Sequence, residues 1–123
     1  MQIESAVNYA KQYGLSINII GGGSNVVLAE KLPGLTLLIR NQGIHYQGSE
    51  VTVGAGVVWH EVVLDTLAHD LSGLENLALI PGFAGAAPIQ NIGAYGQEIS
   101  NVLRSVRAYD SDRLCWVNFD RPA

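Results

Sequence analysis

Three features of the sequence predict an α+β fold. Residues 3–13 and 59–69 carry apolar side chains at helical spacing. Short apolar or alternating runs between and after them suit strands. Two glycine-rich stretches interrupt the regular elements, Gly21-Gly22-Gly23-Ser24-Asn25 and residues 80–96. Glycine is costly to fix, so such clusters mark turns or places where a ligand meets the main chain.

In the first predicted helix, Ile3, Ala6, Val7 and Ala10 share a face and Gly14 stands where a left-handed stop belongs. Residues 15–20 end in Ile17, Ile19 and Ile20, which suits a buried strand running into the glycine turn. Residues 36–40 form a second apolar run after Pro33-Gly34. Residues 44–47 and 50–53 flank Gly48-Ser49, a hairpin whose order of turn residues favours type II′. The second helix follows through Trp59, Val62, Val63 and Leu67, with Trp59 as its core anchor. Residues 74–96 read as irregular, and residues 102–109 and 114–119 as two strands around Asp110-Ser111-Asp112-Arg113. There is no internal repeat, low-complexity tract or linker.

The 123 residues, 48% apolar and 15% charged, make one domain or part of one, with enough apolar surface for a core. Both ends read as cut: Met1 stands almost inside the first helix, and residues 121–123 follow the last strand with no return element. A net charge of −4 and only seven basic residues, none between Arg40 and Arg104, argue against a nucleic-acid or membrane-surface binder. No apolar run approaches the roughly 20 residues of a membrane span, and the start lacks the basic residues of a signal peptide. The single Cys115 has no internal partner, which points to a reducing compartment and a cytoplasmic protein.

Successive glycines let neighbouring N–H groups converge into an anion nest, to which Ser24 and Asn25 add a hydroxyl and a carboxamide. A diphosphate is the guest this loop suits; a tight strand connection is the alternative. The loop departs from the dinucleotide fingerprint G-x-G-x-x-G, whose third glycine would fall on Val26, and no Gly-Lys-Ser or Gly-Lys-Thr makes it a Walker loop. In the second stretch, Gly85, Ala86, Ala87 and Pro88 would let a flat ring lie against main chain, while Gln90 and Asn91 would meet the edge of a heterocycle. Its alternative is a buried loop in which these amides cap backbone groups.

Leu74-Glu75-Asn76-Leu77-Ala78-Leu79-Ile80-Pro81-Gly82 and Gln90-Asn91-Ile92-Gly93-Ala94-Tyr95-Gly96-Gln97-Glu98 closely resemble the UDP-N-acetylenolpyruvoylglucosamine reductase family. Gly21-Gly22-Gly23-Ser24-Asn25 resembles that family's first flavin loop, and Val53-Gly54-Ala55-Gly56 with Trp59-His60 stands at the expected place between them. The resemblance covers essentially the whole chain. It implies the FAD-binding fold of vanillyl-alcohol-oxidase type flavoenzymes, with two small α+β subdomains, residues 1–123 forming the FAD-binding domain, and a noncovalent flavin. By the same carry-over, Gly21, Gly22, Gly23, Ser24, Asn25 and Val26 would hold the diphosphate. Ile80, Pro81, Gly82, Gly85, Ala86, Ala87, Gln90, Asn91 and Gly93 would surround the flavin and its ribityl chain, and Tyr95 would touch the substrate.

The reaction implied by the resemblance is reduction of UDP-N-acetylglucosamine-enolpyruvate to UDP-N-acetylmuramate with NADPH, in peptidoglycan synthesis and so in cell-wall biogenesis, cell shape and division. The family's serine acid, glutamate and arginine would all fall beyond residue 123, and its N-terminal strand with a threonine-phenylalanine-glycine motif before residue 1. The chain alone is therefore expected to bind or partly bind FAD without completing the reduction. Another FAD-dependent oxidase or dehydrogenase of the same fold, or a non-catalytic nucleotide-binding module, are the alternatives, because fold and cofactor do not set the chemistry.

Other residues carry plainer readings. His45, His60 and His69 lack a metal-ligand spacing. Cys115, between Leu114 and Trp116, reads as a half-buried strand thiol with only Arg113 as a basic neighbour. Glu61 and Asp65 read as the solvated face of the second helix.

Overall fold

A computed structural model describes residues 2–121 as two units. The first comprises residues 2–20, 27–38 and 104–121, and the second Gly21–Val26 with Ile39–Leu103. All strand pairings are two-stranded among the described residues.

In the first unit, helix α1 (Gln2–Gln12) buries Val7 and Ala10. Gly14, at φ +62°, ends it, and the Leu15 N–H reaches back to the Ala10 carbonyl at 2.8 Å. Strands β1 (Ile17–Ile20) and β2 (Leu35–Leu38) pair in parallel, Ile17 opposite Leu35 and Ile20 opposite Leu38. The second run thus forms its strand earlier than residues 36–40, because the Leu35 N–H is already bonded to the Ser16 carbonyl at 2.8 Å. Strands β7 (Ser105–Asp110) and β8 (Cys115–Asp120) make an antiparallel hairpin. Its Trp116 meets Tyr109 edge-on with ring centroids 5.3 Å apart, lies 4.8 Å from the Arg107 guanidinium carbon, and donates from Nε1 to Glu4 Oε1 at 2.7 Å. That bond, foremost, holds the Glu4 carboxyl below its usual range. Residues 102 and 103 are not strand as expected, because both N–H groups close onto the Ile99 carbonyl. Cys115 corrects the expectation of half-burial: it is exposed, opposite Asp110, while Trp116 takes the half-buried position.

The second unit is built on a tight hairpin and a helix. Strands β3 (Ile44–Gln47) and β4 (Glu50–Val53) pair antiparallel around Gly48-Ser49. Gly48 alone of the two has positive φ, as the type II′ turn requires. Helix α2 (Trp59–Ala68) buries Trp59, Val62, Val63 and Thr66, the Thr66 hydroxyl donating to the Val63 carbonyl. Its apolar face packs with Val57, Leu77, Ala87, Ile92 and Ile99 into one core, and Trp59 Nε1 donates to the Leu77 carbonyl at 2.9 Å. Burying the indole with its N–H satisfied makes Trp59 the anchor it was expected to be.

Residues 74–96 are more ordered than their sequence suggests: a 3₁₀ turn (Glu75–Leu77), a short helix α3 (Ala87–Gln90), and strand β5 (Gly93–Ala94), which pairs with β6 (Gln97–Glu98) just beyond. These elements are too short to impose a hydrophobic period, which is why they escape pattern reading. Asp65 also departs from the solvated-face reading. It accepts a short hydrogen bond from the Tyr46 hydroxyl of β3, and the Tyr46 ring stacks on His69 at 4.1 Å. Desolvation, then this bond, push the Tyr46 phenol up to about 12.

Candidate functional site: a glycine loop against a backbone ledge

Both glycine-rich stretches fall in the second unit, and they lie against one another. A Cβ built on Gly22 would stand 3.3 Å from Phe83 Cδ1 and Cε1 and 3.6 Å from the Gly82 Cα, and one on Gly82 would stand 3.2 Å from Ser24 Oγ. Residues about sixty positions apart in sequence thus share one surface.

The first loop is open. Gly22, Gly23, Ser24, Asn25 and Val26 are exposed, and the sign of φ changes at Gly23, at +75°. Among the described residues, the N–H groups of Gly22, Gly23, Ser24 and Asn25 donate no hydrogen bond within the protein. An exposed run of uncommitted N–H groups is free to meet an anion. Arg40, which sequence reasoning did not bring here, stands beside it. Its Nη1 donates to the Gly21 and Ile39 carbonyls, each at 3.3 Å, and its guanidinium carbon lies 5.2 Å from the Phe83 ring centroid.

The second stretch is tied down. The Trp59 N–H donates to the Gly82 carbonyl at 2.9 Å, the Ala84 N–H to Val57 at 2.8 Å, and the Gly85 N–H to Ala55 at 2.9 Å, with Phe83 bridging antiparallel to Val58. The two backbones approach so closely at Gly85 that a Cβ there would stand 2.5 Å from the Ala55 Cβ. The ledge then runs into α3, where Pro88 in the first turn suits the fixed φ of proline. Asn91, left-handed at φ +42°, caps α3. Its carboxamide donates to Glu98 Oε2 at 2.8 Å and accepts from the Ser100 N–H at 3.3 Å.

The expected flavin contacts therefore sort by position. Gly82, Gly85 and Ala86, with Ile80, are half-buried along the ledge; Pro81, Gln90, Asn91 and Gly93 are exposed. Ala87 is set into the core, 2% exposed, so its side chain serves packing. Tyr95, at φ +53°, occupies the β5–β6 turn with Gly96 at φ +78°, and its ring is 91% exposed. Leu79 was not singled out in the sequence; it holds φ +64° while 78% exposed, its N–H bonded to His60 Nδ1 at 3.2 Å. A bulky residue in the left-handed region costs strain, and such strain gathers at functional sites.

A flavin dinucleotide would bring a diphosphate, a flat ring with a polar edge, and a sugar chain. The open N–H run beside Arg40 suits the first, and the half-buried small residues of the ledge leave main chain open to the second. The Gln90 carboxamide, with no hydrogen bond of its own among the described residues, suits the ring's polar edge. The donor set fits the group.

Comparison with known proteins agrees. A family model described as an FAD binding domain matches residues 1–113. The chain is 46% identical over 127 residues to the UDP-N-acetylenolpyruvoylglucosamine reductase of Polynucleobacter asymbioticus, covering 99% of this chain and 37% of that protein. It is 48% identical over 120 residues to the reductase of the same name from Cupriavidus pinatubonensis, covering 94% of this chain and 36% of that one. The crystal structure of UDP-N-acetylenolpyruvylglucosamine reductase from Thermus caldophilus superposes with a TM-score of 0.70 at 26% identity, over 92% of this chain and 42% of that chain. The chain thus spans little more than a third of the length of the curated relatives it matches. With a family model spanning nearly its whole length and a site whose donors suit the dinucleotide, the chain belongs to the FAD-binding domain family.

Proposed function

We propose that this chain is the FAD-binding part of an NADPH-dependent reductase that converts UDP-N-acetylglucosamine-enolpyruvate to UDP-N-acetylmuramate for peptidoglycan synthesis in the cytoplasm. The observation that carries the reading is the open N–H loop set against Gly82 and Phe83 of the second stretch. The names of the relatives, at 46% and 48% identity, support the substrate class.

In this reading Gly21, Gly22, Gly23, Ser24, Asn25 and Val26 hold the diphosphate through backbone amides and the Ser24 and Asn25 side chains. Ile80, Pro81, Gly82, Gly85, Ala86, Gln90, Asn91 and Gly93 bound the flavin and ribityl chain, and Ala87 keeps the ledge on its core. Noncovalent FAD would supply the relay that takes hydride from NADPH and passes it to the enolpyruvyl group. The chain's own work is to bind that cofactor and press main chain against its ring, which keeps water from the covered side. Tyr95, raised on its turn, is a substrate contact.

Titration with FAD and FMN, followed by flavin fluorescence and absorbance, tests the reading. Saturable binding that prefers FAD is expected, because only FAD carries the diphosphate. A folded chain that binds neither flavin, and a reductase-length version that also fails, would overturn it.

A further inference from the structure

We infer that Arg40 is the positioning residue of the diphosphate loop: it holds the Gly21 peptide so that the following N–H faces the ligand, and it supplies the positive charge of this surface. The inference rests on the flavin reading above.

The charge argument is one of scarcity. Within residues 21–26 and 39–103, Arg40 is the sole Lys or Arg, so the loop's anion would find no other cationic side chain in its unit. The geometry gives the positioning role. Arg40 Nη1 donates to the Gly21 carbonyl at 3.3 Å, and a trans peptide sets the next N–H opposite that oxygen. Holding the Gly21 oxygen against Arg40 therefore turns the Gly22 N–H to the other side, where it meets no acceptor among the described residues. Phe83 completes the bracket, because the ring under the guanidinium is also the ring that a Cβ on Gly22 would meet at 3.3 Å.

Arg40 itself is held. A Cβ on Gly56 would stand 2.6 Å from the Arg40 carbonyl carbon and 2.7 Å from its Cα, so the two backbones are in direct contact. Gln42 Nε2 pins the same junction, donating to the Gly56 carbonyl at 2.7 Å and the Arg40 carbonyl at 3.4 Å. A guanidinium that bonds two carbonyls while its carbon lies over an aromatic ring does what a lysine ammonium does not.

The test compares FAD affinity of the wild-type chain, Arg40→Met and Arg40→Lys at low and high salt, with circular dichroism to verify folding. Arg40→Met is expected to weaken FAD binding roughly 10- to 100-fold at low salt, the range of a lost charge-assisted hydrogen bond. It should also flatten the salt dependence, since the charge that salt screens is gone. Arg40→Lys should keep the wild-type salt slope while remaining weaker than wild type, because charge returns without the guanidinium that bonds the Gly21 carbonyl and lies over Phe83. FAD affinity of folded Arg40→Met within about twofold of wild type would overturn the inference. So would a weakened variant with an unchanged salt slope, which is the mark of a merely structural role. Should Arg40→Met fail to fold, Arg40→Lys decides: wild-type affinity overturns the inference and weaker binding with the wild-type slope supports it. Absence of FAD binding by the wild-type chain would instead count against the flavin reading itself.

Discussion

The two glycine-rich stretches look alike in sequence and behave oppositely in the fold. The first leaves four consecutive N–H groups without a partner among the described residues and is steadied from outside, by one arginine and one phenylalanine. The second spends its backbone on the segment Ala55 to Trp59 and sends Ala87 and Ile92 into the core. A glycine cluster can thus be a ligand surface or a packing device, and what separates them is where the backbone hydrogen bonds go.

That contrast predicts different penalties. Trp59→Ala should cost the most, about 3–5 kcal/mol of stability by chemical denaturation, because it empties the core under the ledge and frees the Leu77 carbonyl. Gly85→Ala should cost about 1–3 kcal/mol, since the new methyl must displace the Ala55 backbone. Gly23→Ala, with open space around its Cβ, should pay only the left-handed backbone term of about 1–2 kcal/mol while losing FAD affinity out of proportion. If Gly23→Ala proved as destabilising as Gly85→Ala and bound FAD normally, the two stretches would not differ as described.

Much of this was legible beforehand. Both long helices, the Gly48-Ser49 hairpin and the family of the two loops followed from period, turn chemistry and motifs. The elements of residues 74–96 were not, because two- to four-residue strands and helices are set by tertiary contacts such as the Asn91 cap and the Gly85–Ala55 approach. Arg40 was missed for a topological reason. Its bond to Gly21 joins residues nineteen positions apart, and no local pattern announces such a contact. Asp65 was misread because its partner, Tyr46, comes from a strand nineteen residues earlier.

The Tyr46–Asp65 bond gives the smallest and most selective effect. A phenol raised from 10 to about 12 is protonated in the folded state where the unfolded chain already ionises. Its contribution is therefore complete below pH 10 and is lost as pH rises through 12. Denaturation curves across that window should show stability falling in the wild-type chain and a shallower fall in Tyr46→Phe, without change in the first glycine loop. Coincident loss of FAD binding over the same window in both proteins would mean that the Tyr46–Asp65 bond and the loop are not separate.

The most direct measurement is the amide NMR spectrum of the 15N-labelled chain with FAD added in steps. The largest shifts are predicted at the N–H groups of Gly22, Gly23, Ser24 and Asn25, with smaller ones at Ala84, Gly85 and Ala86, whose amides are committed already. Saturable binding that left those four amides unmoved would contradict the assignment of the diphosphate to the first loop.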